Sequence, residues 1–258
     1  MNRIAAWTVI SLLLVFLIGP FIIILGAALS AGPVMAFPPD GLSLQWFEKV
    51  FSIDSFRSSF AISIWLGLCS PLAALILGVP ASYAMARYDV RGAELVRLLV
   101  SAPIIVPGII VGLALLRYLV IPTGIGIGLA LFLAHTALVL PYAVRVVSAS
   151  MDNLRADIEE AAVMLGCSRL GAFLRVVLPN IRGGILAAFI LGFVTSFNEV
   201  PVALFLSGPG ITTLPIDMIG YMEITYDPSV AALAALLAAL SIAIVFAAER
   251  FLGLSRYV

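Results

Sequence analysis

The stretch Glu160-Ala161-Ala162-Val163-Met164-Leu165-Gly166, continued to Phe173 and Leu178-Pro179, lies in a polar segment of over thirty residues within an otherwise oily chain. It reads as two short amphipathic helices separated by a glycine. In the first, Leu154, Ile158, Ala161 and Leu165 recur at spacings of four, three and four, which makes one face apolar. Arg155, Asp157, Glu159 and Glu160 take the other faces. Gly166 is expected to end this helix where the chain turns back, and Ser168 is a natural N-cap for the next. There Leu170, Phe173, Leu174 and Val177 form a second apolar stripe, Pro179 closes the helix, and Arg182 marks the return to apolar sequence. The small Ala161 and Ala162 allow close approach by a partner, and Glu160 supplies a charge at the same place.

An amphipathic hairpin of this kind can rest on lipid headgroups. The first helix, however, carries Asp152, Asp157, Glu159 and Glu160 against Arg155, and an anionic leaflet repels such a surface. A protein partner with a basic groove fits better.

The rest of the chain is 63% hydrophobic and 11% charged over 258 residues. A soluble domain of this length cannot bury so much apolar surface, so the bilayer is its solvent and one membrane domain fills its length. Apolar runs long enough to span, about 20 residues each, occur at 4–29, 59–86, 98–119, 125–147, 184–206 and 229–248, six in all. The first begins like a signal peptide, and Ala28-Leu29-Ser30-Ala31 resembles a cleavage site. The run is too long for a signal core and reads as an uncleaved anchor. The third and fourth runs are separated by Ile121-Pro122-Thr123-Gly124, a tight turn. Prolines at 20, 71, 80, 103, 107, 141 and 201 sit in or near the spans and are expected to bend them.

Orientation follows from the basic residues. With the N-terminus inside, eleven of the fourteen arginines and lysines face the cytoplasm: Arg3, Arg87, Arg91, Arg97, Arg145, Arg155, Arg169, Arg175, Arg182, Arg250 and Arg256. Only Lys49, Arg57 and Arg117 lie outside, among the outer acids Asp40, Glu48, Asp54, Asp217, Glu223 and Asp227. Both termini and the segment 148–183 are therefore expected in the cytoplasm. The chain divides into a first transmembrane helix at 1–30, a periplasmic loop with an interfacial segment at 31–58, a five-helix core at 59–249, and a tail at 250–258. In the loop, Phe37-Pro38-Pro39-Asp40-Gly41 reads as a turn. Leu44, Trp46 and Phe47 follow as an amphipathic segment whose aromatics suit the headgroup layer. Cys69 and Cys167 stand far apart and give no disulfide framework.

The pattern Glu-Ala-Ala, three residues, Gly166, then Phe173 and Leu178-Pro179, in a loop before the second-to-last span, resembles the integral membrane subunits of binding-protein-dependent ABC importers. The resemblance covers the whole chain and implies the all-α, six-helix type I importer permease fold in the bacterial inner membrane. It implies two cytoplasmic ATPase subunits that bind ATP and Mg, a second permease subunit and a periplasmic solute-binding protein. It also implies that the hairpin is the coupling segment, with Glu160, Ala161, Ala162, Leu165 and Gly166 at the ATPase contact. ATP-driven closure of the ATPases would then switch the cavity from inward-facing to outward-facing.

No phosphate-binding loop stands in this chain: Lys49 is its only lysine and is followed by Val50. The chain itself is thus expected to be a transport subunit and no enzyme, with no metal site, no cofactor of its own and no nucleic-acid partner. His135 is the only histidine, and a hydrogen bond within the bundle is its expected role. Glu199, in Ser196-Phe197-Asn198-Glu199-Val200-Pro201, is the only acid well within an apolar run. Acids at such depth face a cavity or a partner, so Glu199, Asn198 and Phe197 are candidates for the solute pathway. From Ser196 through Leu206-Ser207-Gly208-Pro209-Gly210 and Thr213-Leu214-Pro215 to Asp227-Pro228 the chain resembles the spermidine/putrescine-type branch. That implies a polyamine or related organic cation and a paralogue as second permease. Asn198 stands where that branch carries an acid, and related permeases carry aminoalkylphosphonates, opines, iron, thiamine or sulfate. A secondary transporter is the alternative of a different class. It would need ion sites at the midplane, where only Glu199 qualifies, and would have no use for the hairpin.

Overall fold

The computed structural model describes residues 3–252 and is helical almost throughout. The helices in chain order are α1 (Arg3–Ala28), α2 (Gln45–Ser52), α3 (Asp54–Arg87), α4 (Ala93–Ile105), α5 (Gly108–Leu115), α6 (Ile121–Thr123), α7 (Ile127–Asp152), α8 (Ala156–Met164), α9 (Arg169–Ala172), α10 (Leu178–Asn180), α11 (Arg182–Phe197), α12 (Leu214–Ile224) and α13 (Ser229–Leu252). The tail expected at 250–258, with Arg256, lies outside the described residues from residue 253 onward. Among the described residues three helices, Trp7–Ala28, α3 and α7, are long and apolar enough to cross a membrane, and the number is five if each of two bent pairs is one span. Ser229–Ile244, on the sixth expected span, is a shorter apolar helix. The described residues form two compact units, one from 3–59 with Asp217–Phe246, the other from Phe60–Ile216 with 247–252.

In the first unit α1 exposes apolar side chains along its length, from Trp7 to Leu25, as a helix does when its solvent is lipid. After it the chain folds back through Ala31 N–H to the Gly41 carbonyl and Ser43 N–H to the Leu29 carbonyl, at 3.0 and 2.8 Å. The amphipathic segment expected after Leu44 is α2. Its Trp46 does not face headgroups: the indole is buried and donates to the Ser30 carbonyl at 2.7 Å. A buried indole N–H needs such a partner, and the exposed aromatic of the helix is Phe51. Asp227 is buried and accepts from Lys49 at 2.5 Å, from the Tyr221 hydroxyl at 3.1 Å and from the Ser229 N–H at 2.9 Å. Burial alone would raise the Asp227 carboxyl, but the hydrogen bonds from Lys49 and Ser229 outweigh it and hold it below the usual carboxylate range. The hydrogen bond to Asp227 in turn raises the Lys49 ammonium. Asp217 accepts from Ser59 at 2.9 Å.

In the second unit α7 is central, with α3 and α11 packed on it. Ala74, Leu75, Val79, Val139, Ala143, Val147, Met151 and Ala188 form one buried cluster, which Val177 and Ile181 extend toward the polar segment. Small residues let these helices approach closely, and the Ser82 hydroxyl bonds the Val144 carbonyl across the contact at 3.1 Å. A second cluster joins Leu66, Ala130, Leu131 and Ala134 to Val202, Ala203 and Leu206.

Four expected boundaries are revised. The run 98–119 is not one straight helix: it is broken, and the pieces before and after the break meet at 97°. Val106, before Pro107, is forced to an extended ψ of 130° and breaks the helix. Ile121-Pro122-Thr123 is helical, and the turn begins at Gly124, whose φ is +65°. Pro179 does not close its helix, which runs on to Asn180 and bends by 66° into α11. The segments before Pro122 and Pro179, Leu116–Val120 and Phe173–Val177, are π turns. A proline cannot donate to the carbonyl four residues back, and widening the preceding turn absorbs the mismatch. Finally, α11 ends at Phe197, and residues 198–206 make turns ahead of and around Pro201. Glu199 therefore follows a helix end rather than lying inside a helical span.

Candidate functional site

The polar segment folds as a helical hairpin. α8 starts beyond Arg155, whose guanidinium holds Asp157 at 3.1 and 2.5 Å. Asp157 and Glu159 stand in its first turn, where negative charge suits the helix dipole. Its end is a Schellman motif: Cys167 N–H donates to the Ala162 carbonyl at 3.1 Å and Gly166 N–H to the Val163 carbonyl at 2.9 Å. Gly166 takes φ +93°, in the left-handed region that L side chains avoid. Ser168 caps α9 by accepting from the Gly171 N–H at 3.1 Å.

The apolar face expected on α8 points away from its own unit. Ile158 and Ala161 are exposed, Met164 is 82% and Leu165 89% exposed, and only Leu154 packs on the core cluster. Glu160 stands exposed beside them and Ala162 is half-buried. The stripe expected in the second arm splits. Phe173 and Val177 turn inward, while Leu170 and Leu174 are exposed. Exposed apolar residues thus run across both arms of the hairpin, on either side of the Gly166 turn.

The face of α8 that meets the bundle carries a residue the sequence did not mark. Glu159 is buried; its Oε2 accepts from Arg87 Nε at 3.0 Å and its Oε1 from the Tyr83 hydroxyl. Arg87, read from sequence as a topology-setting charge, also donates to the Leu154 carbonyl at 2.9 Å. The Tyr83 ring packs on Phe173 with centroids 4.7 Å apart. The available signal was that Tyr83 and Arg87 stand four apart and so share a helix face.

A cavity of about 290 Å³ lies between the break at Val106-Pro107 and the end of α11, lined among others by Tyr142, Thr195, Glu199 and Pro201. Glu199 Oε1 accepts from the Val202 N–H at 2.9 Å. The other two pathway candidates are not brought to it. The Asn198 side chain bonds back to the Val194 carbonyl at 2.9 Å, and Phe197 is buried against Phe193 and Phe60, at 5.6 and 6.1 Å. His135 is buried and shares a 2.8 Å hydrogen bond with Ser196 through Nδ1, as expected of a histidine held within the bundle. Of the outer acids Asp217, Glu223 and Asp227, the first and last are engaged by Ser59 and Lys49, and Glu223 stands exposed.

Comparison with known proteins gives this geometry its family. The chain is 30% identical over 241 residues to the putrescine transport system permease protein PotI of Escherichia coli K12, spanning 90% of this chain and 85% of that one. It is 28% identical over 206 residues to the spermidine/putrescine transport system permease protein PotC of Haemophilus influenzae, 80% of each chain. A bacterial ABC transporter structure involved in import of the polysaccharide alginate superposes with a TM-score of 0.71 at 17% identity, over 97% of this chain and 98% of that one, which shows a shared fold. Residues 78–254 match the family described as binding-protein-dependent transport system inner membrane component, and the chain belongs to that family as a multi-pass permease subunit of an ABC importer.

Proposed function

We propose that this permease imports a polyamine, putrescine or spermidine, and draws its energy by docking the hairpin 156–180 on a separate cytoplasmic ATPase. The observation that carries the docking is the exposed apolar face of Met164, Leu165 and Ile158, beside Glu160, on a turn fixed by two main-chain hydrogen bonds. Apolar side chains this exposed, on a segment that also carries Glu160, fit a protein cleft better than lipid. Glu160 pairs with a basic group of the ATPase, Ala161 and Ala162 admit its surface, and Gly166 sets the angle between the arms.

Two ATPases that bind ATP and Mg, a second permease and a periplasmic solute-binding protein complete the assembly. The second permease is a paralogue. Both termini and the hairpin face the cytoplasm, six helices cross the membrane, and 59–249 form the permease core. The polyamine reading is supported by the named transport of PotI and PotC and by Glu199 at the cavity that Tyr142 and Thr195 also line. A carboxylate there attracts an ammonium, and an aromatic ring lining the same cavity can add to that attraction. The same machinery carrying another small solute is the second reading. It is favoured by Asn198, which turns its amide to the Val194 carbonyl and leaves a single acid at the cavity.

The test is ATP hydrolysis by the complex reconstituted with its neighbouring-gene ATPase, permease and receptor, the receptor loaded in turn with putrescine, spermidine, an aminoalkylphosphonate and ferric iron. Stimulation by a polyamine alone supports the proposal, and stimulation by another solute replaces the substrate. Glu160→Ala is expected to release the ATPase or uncouple it. Full coupling in that variant removes the docking role of the hairpin.

A further inference from the structure

Glu159 has no place in the exposed docking face, yet it is the acid of the hairpin that the fold buries. Its side chain is 11% exposed and that of Arg87 is 13% exposed. Arg87 is the last residue of α3 and Glu159 lies in the first turn of α8, so each charge sits at the favourable pole of its own helix. Arg87 holds α8 at two points, the Glu159 carboxylate and the Leu154 carbonyl ahead of the helix. Tyr83, one turn earlier on α3, takes the other carboxylate oxygen with its hydroxyl and packs its ring on Phe173 in the second arm. The cytoplasm-facing end of α3 is thereby tied to both arms of the hairpin by groups that fix direction as well as distance.

We propose that Glu159 is a positioning residue, and that the Glu159–Arg87–Tyr83 clasp transmits displacement of the docked hairpin to α3. This rests on the reading above, that the hairpin docks on an ATPase. A buried ion pair is a poor device for stability alone, because its desolvation cost offsets much of its attraction and apolar residues of equal volume serve as well or better. What it supplies instead is orientation. Apolar surfaces slide and rotate over one another at little cost, whereas a carboxylate held on both oxygens does neither. α3 in turn packs on α7 through Ala74, Leu75 and Val79, so a rigid grip on its end reaches the helix at the centre of the unit.

The experiment follows amide hydrogen exchange in the full-length permease complex in lipid nanodiscs, with and without its cognate ATPase locked by AMP-PNP. Residues 156–177 report docking and residues 79–88 report transmission. In the parent, both segments are expected to gain protection, the second by roughly 5- to 150-fold, the range of ordinary coupling between sites. In Glu159→Ala, residues 156–177 still gain protection and residues 79–88 do not. Glu159→Gln, which keeps the acceptor for Tyr83, is intermediate. If residues 79–88 gain nothing in the parent, or gain as much in Glu159→Ala, the clasp does not transmit. If residues 156–177 gain nothing in the parent, the docking reading fails instead. Should Glu159→Ala not fold, the same comparison is read on Tyr83→Phe, which removes only the hydroxyl and leaves the ring on Phe173.

Discussion

Gly166→Ala isolates the backbone cost of the hairpin turn. Gly166 stands at φ +93°, and a Cβ built there meets no atom within 4 Å. The substitution therefore creates no clash, and whatever it costs comes from placing an L side chain in the left-handed region. That cost is about 1–2 kcal/mol, equivalent to a factor of roughly 5–30 in an equilibrium. The amides that close the turn are those of Gly166 and Cys167, bonded to the Val163 and Ala162 carbonyls. Their exchange, corrected for intrinsic rates and followed by mass spectrometry on peptides spanning the turn, should quicken by about that 5- to 30-fold factor. Gly166→Asn should quicken it clearly less, because asparagine enters the left-handed region far more readily than alanine. Protection in α11 should be unchanged in both. Equal exchange in the Ala and Asn variants would refute the assignment of the effect to φ, and unchanged exchange in Ala would show that the turn does not limit the local opening.

Three further outcomes are expected. Gly112→Ala places a Cβ 2.8 Å from the Val202 carbonyl oxygen and 3.0 Å from its Cα, main-chain atoms that cannot step aside. It should lower thermal stability in detergent by about 1–3 kcal/mol, while Gly220→Ala, in the interior of α12 with open space around it, should raise it by roughly 0.5–1 kcal/mol. The Asp227 carboxyl lies below its unfolded value, so its contribution is present above about pH 4 and is lost as pH falls through the folded value. Lys49 is raised, and its contribution holds below about pH 10.4 and is lost as pH rises through its folded value. Lys49→Met should make the acid limb of a melting-temperature profile shallower and cost about 1 kcal/mol near neutral pH, a figure discounted because Lys49 keeps contact with water. An acid limb as steep as the parent's would refute the pairing. In the proposed pathway, Glu199→Gln should reduce polyamine-stimulated hydrolysis severalfold at fixed receptor concentration, and Asn198→Ala should leave it near the parent value. The reverse order would move the solute contact off the cavity.

The features legible in the sequence are those set by local chemistry. Gly166 as a helix end and Ser168 as a cap follow from which residue tolerates φ above zero and which can accept from a first-turn amide, and both are found. α7 was legible because its apolar run is long, and the helix keeps Pro141 inside itself. The same signal misled at 98–119 and 184–206. Hydropathy measures burial in lipid or protein and is blind to direction, so it cannot see that Val106 turns extended before Pro107 or that the helix ends at Phe197. Glu159 was hidden for a different reason. Between Ile158 and Glu160 it reads as one more surface acid, and only the tertiary contact with Tyr83 and Arg87 distinguishes it. Asp227 was hidden likewise: its partner Lys49 is 178 positions away in sequence.

Two kinds of exposed apolar surface follow from the same hydrophobic effect and call for different covers. α1 presents Leu, Ile, Val and Phe along nearly its whole length, with Arg3 at its start as the only charged residue of the helix. Hydrocarbon satisfies that pattern, because it asks for no direction and tolerates no charge. At the end of α8, Met164 and the following Leu165 are more exposed than most side chains of α1, yet Asp157 and Glu160 stand exposed on the same short helix. Lipid tails would have to desolvate those carboxylates, whereas a protein cleft can seat the apolar side chains and offer cations at the rim. The inner face of the same helix gives the complementary constraint, since Glu159 is already paired within its own unit. Each acid of the hairpin therefore points to a distinct environment: Asp157 to Arg155, Glu159 to the clasp, and Glu160 outward. That leaves Glu160 as the acid through which a partner would be recognised electrostatically, and Glu159 as the one through which such a contact would be felt by α3.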